Sequence, residues 1–204
     1  MMKYLKTGVM VVPHIDLKTL IKVVHLTGLA LGLGGAVLLD LLALRFLVMA
    51  RISHEISQIF AYGTRIVQWG LILLWISGLA YLGYYQLYDP HSLSNPKVWA
   101  KLTIVVILTI NGWWIHHWIL PLIQKNIGSH FFARLSLKQR RILLSSSVIS
   151  VCSWFMPLLL GACKELNFCI HASTILTLYG CLIGVGLSMA WVMSKHLHVF
   201  HQHG

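Results

Sequence analysis

Five runs of apolar residues, each about as long as a membrane-crossing helix, leave this chain few folds to adopt. In hydrocarbon every backbone N–H and C=O must be satisfied by the protein itself, and an α-helix does this within one segment. Crossing takes about 20 residues, and windows at roughly 23–47, 66–87, 102–122, 142–162 and 172–194 meet that length. Composition agrees: 57% of residues are hydrophobic and 10% charged, with a mean hydropathy of +0.76, well beyond the soluble range. The expected fold is all-α, a polytopic membrane helical bundle of about five transmembrane helices, with residues 23–195 as a single bundle. Residues 1–22 hold Lys3, Lys6, His14, Asp16, Lys18 and Lys22 around an apolar stretch too short to span. They read as an interfacial lead-in, and no small-residue cleavage site follows that would mark a removed secretory signal. Residues 196–204 form a histidine-bearing tail.

An odd number of crossings puts the termini on opposite sides, the N-terminal one called side A here and the C-terminal one side B. Loops and flanks on side B carry Arg45, Arg51, Arg65, Lys125, Arg134, Lys138, Arg140 and Arg141, against Lys97, Lys101 and Lys164 on side A. The positive-inside tendency makes side B cytoplasmic, with a multi-pass protein in the cell inner membrane. The four lysines of the lead-in weigh the other way. The net charge of +11 suits anionic headgroups of a lipid bilayer and needs no nucleic-acid partner. Cys163 and Cys169 bracket a short loop on side A, where an oxidising space would permit a bridge, although two free thiols are an equal expectation. Cys152 and Cys181 read as packing residues.

The first span places its unusual residues on one face. At about 100° per residue, His25, Gly28, Gly32, Ala36 and Asp40 fall within about 120° of each other. Small residues at this spacing let a second helix, or a flat ring, approach the backbone closely. An ionisable group in such a segment belongs against protein, a cavity or a cofactor rather than lipid. The rise of a helix separates His25 from Asp40 by about 22 Å, so they serve different layers. Lys101 opens the third span level with His25, and His116 lies deeper in that span, level with Asp40.

In the side-A layer, a neutral imidazole at His25 could ligate heme iron with Lys101 near the propionates or the metal. His171, opening the fifth span, is a second axial candidate. The plainer alternative has His25 bonding a neighbouring helix, Lys101 snorkelling to headgroups and His171 lying at the interface. In the side-B layer, Asp40 is expected to pair with Arg45 or Arg65. His116 stands among the interfacial tryptophans Trp113, Trp114 and Trp118 as the candidate for a second site. His196, His198, His201 and His203 in the tail could chelate copper or another divalent metal, though at no structural-zinc spacing. Phosphate-binding glycine loops and activated nucleophiles are absent from the sequence, and five acidic residues leave little for hydrolysis.

The succession KVVHLTGLALGLGG, a glycine-bearing helix ending ISGLAYLGYY, then NPKVWAKLTIVVILTINGWWIHH resembles a superfamily of small helical membrane proteins over about residues 20–120. That superfamily includes the copper-resistance D-type domain and the membrane-bound, heme-binding protoporphyrinogen oxidase. In the oxidase, a histidine of the first helix and a lysine opening a K-W-x-K-L-like helix are functional, and the matching residues here are His25 and Lys101. The resemblance implies heme b and membrane redox or porphyrin-linked chemistry, with a membrane redox partner or quinone. Two further expectations stand beside it: copper or divalent-metal handling without heme, and a cofactor-free assembly subunit.

Overall fold

Each apolar run becomes a helix that outlasts the run predicting it. The computed structural model describes residues 16–48, 54–125 and 135–196, with side chains for 16–43, 54–125 and 135–195. Helix α1 spans Leu17–Val48, α2 His54–Tyr88, α3 Pro96–Lys125, α4 Leu137–Ala162 and α5 Ala172–His196. Five described helices are long and apolar enough to cross a membrane, and the described residues contain no strand. The protein is an all-α, multi-pass membrane bundle. Helix α1 takes in residues 17–22 of the expected lead-in. Residues 1–15 lie outside the described residues.

Local chemistry sets the helix starts. Asn95 caps α3 by accepting the Lys97 N–H at 3.1 Å, with Pro96 in the first turn where its missing donor costs nothing. Ser136 and Gln139 form a reciprocal capping box at the start of α4, their backbone N–H groups each bonded by the other's side chain. Pro157 lies inside α4. Within α3 the residues Ile115–Ile119 form a π turn, wider than the α-helix on either side.

Packing divides the bundle into a pair and a trio. Helix α1 runs closely along α2, and α3, α4 and α5 pack on one another, while the two groups meet sparingly. Trp154 of α4 is the main bridge: it is 2% exposed and packs with Ala36, Leu74 and Leu108. The outward faces carry Leu, Ile, Val and Trp, including Trp69, Trp113, Trp118 and Trp191, as lipid contact requires. Arg140, one of the side-B flanking cations, is buried.

On side A, Lys97 is only 3% exposed. Its ammonium donates to the Cys163 carbonyl at 2.6 Å and to Asn167 Oδ1 at 2.9 Å, tying α3 to the loop between α4 and α5. Asn95 accepts the Phe168 N–H at 3.5 Å across the same gap. Phe168 takes a left-handed backbone, φ 60°, which a bulky residue adopts only under restraint, and its ring lies 4.6 Å from that of His91. Cys163 and Cys169 are both free thiols in this loop.

Candidate functional site

The side-A layer is built on His25, which is half-buried and turned to α2. Its Nδ1 lies 2.9 Å from Ser77 Oγ. The single hydroxyl proton of Ser77 is committed to the carbonyl of Leu73 at 2.7 Å, with that of Leu74 at 3.2 Å. With that proton on a backbone carbonyl, the bond to His25 runs from Nδ1–H to Oγ and the lone pair is on Nε2. A metal-ligating histidine is held in this way, one ring nitrogen fixed by a second partner and the other presented.

Tyr81 sets its edge against the His25 ring at 5.7 Å and stacks on Tyr85 at 5.8 Å. Tyr84 and Tyr88 continue the column toward side A, where the Lys18 ammonium sits 5.7 Å above the Tyr84 ring. Lys101 is half-buried, with its Nζ facing Gly161 of α4. It is within electrostatic range of both His25 and Lys97. The structure thus brings His25 and Lys101 into one layer, as their depth predicts.

Gly28 and Gly32 serve the other role that their size allows. A Cβ on Gly28 would meet the Gly70 carbonyl oxygen at 2.9 Å, and one on Gly32 would collide with the Trp154 ring. Gly70 in turn leaves no room for a Cβ against the Gly32 backbone. This face is a helix crossing closed by α2 and α4, without space for a flat ring beside either glycine. His171 is exposed at the start of α5, and its ring has no hydrogen-bond or ring partner among the described residues. His198, His201, His203 and the side chain of His196 lie outside the described residues.

The side-B layer surrounds a partly open cavity of about 380 Å³ bounded by α1, α2, α3 and α4. Asp40 and His116 both line it, so this predicted pair is also brought together. Asp40 has the Ser147 side chain of α4 beside it. Of its expected arginine partners, Arg65 is exposed and lies over the Tyr62 ring at 5.9 Å, and the Arg45 side chain is outside the described ones. His116 lies in the π turn, its ring 5.5 Å from that of His117, whose Nδ1 is 2.9 Å from the Trp113 carbonyl oxygen.

No protein-family model, curated protein or solved structure matches this chain.

Two residues of these layers carry no signal of their own in the sequence. Ser77 is an ordinary polar residue of a long helix, and Lys97 reads as an interfacial cation. Each acquires its role only from what a neighbouring helix or loop places opposite it.

Proposed function

We propose that this is an inner-membrane protein that binds heme b through His25 Nε2 and acts in membrane redox or porphyrin-linked chemistry. The supporting observation is the His25–Ser77–Leu73 relay, which presents an unprotonated Nε2 with Lys101 in the same layer. A neutral imidazole at His25 would hold the iron and the Lys101 ammonium would pair with the propionates, so the donor set fits the group. Gly28 and Gly32 are not part of that fit, because helices cover them. Bound heme would supply one-electron chemistry; the chain's own part is to fix the imidazole tautomer, exclude water and hold compensating positive charge. A membrane redox partner or quinone would exchange the electron. Side B and the C-terminus are assigned to the cytoplasm on the weight of side-B cations.

The test is absorbance of the full chain purified from a heme-competent host. A Soret band is expected, lost in His25→Ala and altered in Ser77→Ala, where the tautomer is no longer fixed. A folded, colourless protein carrying copper at stoichiometric level would overturn this reading in favour of metal handling. A folded protein with neither heme nor metal would leave an assembly subunit.

A further inference from the structure

The side-B cavity lies in the seam where the α1–α2 pair meets α3 and α4, and its walls are mainly hydrocarbon. Most hydroxyls along it are already used within the protein. Thr64 donates to the Ala61 carbonyl at 2.9 Å, Thr109 to that of Val105 at 2.7 Å, and Ser146 to Asn111 Oδ1 at 2.9 Å. Gln68 on α2 and His116 on α3 are different: both line the cavity, and neither has a hydrogen-bond partner among the described residues. Asp40 adds an oxygen from α1. Among the described residues no Lys or Arg lines the space, and Asp40 is the charged group on its wall.

Three features suit entry of a molecule from the bilayer. Gln68, Ile72, Trp113 and His116 are exposed where α2 faces α3, which puts the mouth on the lipid side of the bundle. Gly112 lines the cavity, and a Cβ there would meet nothing within 4 Å. The π turn carries His116 at the wall, and such turns recur at functional positions. A volume of about 380 Å³ lies within the range of small-molecule sites, which pair apolar walls with a few convergent polar groups.

We propose that this cavity binds the head of a lipid-dissolved, neutral carbonyl or hydroxyl compound of the quinone class, entering between α2 and α3. Gln68 and His116 would donate to carbonyl oxygens from two walls, and Asp40 would accept from a hydroxyl of the reduced form. This gives a place to the quinone of the functional reading above. Binding can nevertheless be measured without heme, because about 22 Å of helix separates His25 from Asp40.

The experiment titrates the full chain in phosphatidylcholine nanodiscs with decylubiquinone and its quinol, read by tryptophan quenching, since Trp113 is on the wall. Saturable binding is expected. Gln68→Leu and His116→Phe should each weaken it by up to about tenfold, the loss of one hydrogen bond. Gly112→Phe fills open space and should abolish binding while the circular dichroism spectrum and thermal midpoint stay unchanged. His25→Ala should bind as the parent does, which separates failure of the heme reading from failure of this one. Quenching that none of the cavity variants changes would overturn the proposal. So would displacement of decylubiquinone by laurate or dodecylammonium as readily as by a second quinone, which would mark the seam as a general lipid groove.

Discussion

Asn111 and Ser146 clasp α3 to α4 by two reciprocal hydrogen bonds: Asn111 Nδ2 donates to the Ser146 carbonyl at 3.0 Å, and the Ser146 hydroxyl donates to Asn111 Oδ1 at 2.9 Å. Both residues are buried. Asn111→Ala removes one partner from each bond and is expected to cost about 1–3 kcal/mol. The coupling in a double-mutant cycle with Ser146→Ala should be nearer 0.6 kcal/mol and below about 1.7 kcal/mol, because a membrane-embedded unfolded state also finds partners. Unfolding in mixed micelles measures both quantities.

Two glycines of α2 should answer oppositely to the same methyl group. Gly70→Ala puts Cβ into the Gly32 backbone, so α1 and α2 must separate, a cost of about 1–3 kcal/mol. Gly78→Ala meets nothing within 4 Å and should be neutral or stabilising by up to about 1 kcal/mol. Thermal midpoints of the two variants in one detergent decide this. Equal losses would mean that Gly70 is not a contact.

Lys97 is the side-A tether. Lys97→Met removes two charge-assisted bonds, each worth about 1.5–3 kcal/mol, and frees the loop that holds Cys163. The half-buried Cys163 should then react faster with maleimide, while the already exposed Cys169 keeps its rate. Site-resolved mass spectrometry of alkylation time courses reports each thiol separately.

Orientation has a direct readout in the same loop. With side A outside the cytoplasm, a membrane-impermeant maleimide should label Cys169 in intact spheroplasts. Labelling only in inverted vesicles would reverse the assignment made from the basic loops.

Several features of this architecture can be read from the residues, and the reasons differ. The five spans are legible because bilayer thickness imposes a length that apolar runs must meet. The start of α3 is legible because Asn95 and Pro96 suit a cap and a first turn. Helix ends are not: α2 begins at His54, well before its apolar window, because Glu55 and Gln58 are sound helix formers once out of hydrocarbon. The glycine face of α1 announces a close approach without naming what approaches. Only the presence of Gly70 and Trp154 opposite it selects helices over a flat ring. The depth of His25 and Lys101, and of Asp40 and His116, follows from helical rise, whereas the Ser77 and Ser147 neighbours depend on packing across helices.

The π turn in α3 has a further consequence for its sequence arithmetic. Before the turn the inward positions are Lys97, Ala100, Ile104, Leu108 and Asn111; after it they are Ile119, Leu120 and Ile123. Counted as one unbroken α-helix, the second set is displaced from the first by about 100°, the angle of one residue. The widened turn therefore behaves as a one-residue insertion that the helix has absorbed without rotating its core face outward. Deleting His117 alone should restore a continuous α-helix with both sets still aligned. Deleting Val106 should swing everything after it toward lipid, so the shorter chain is expected to survive the first loss and not the second.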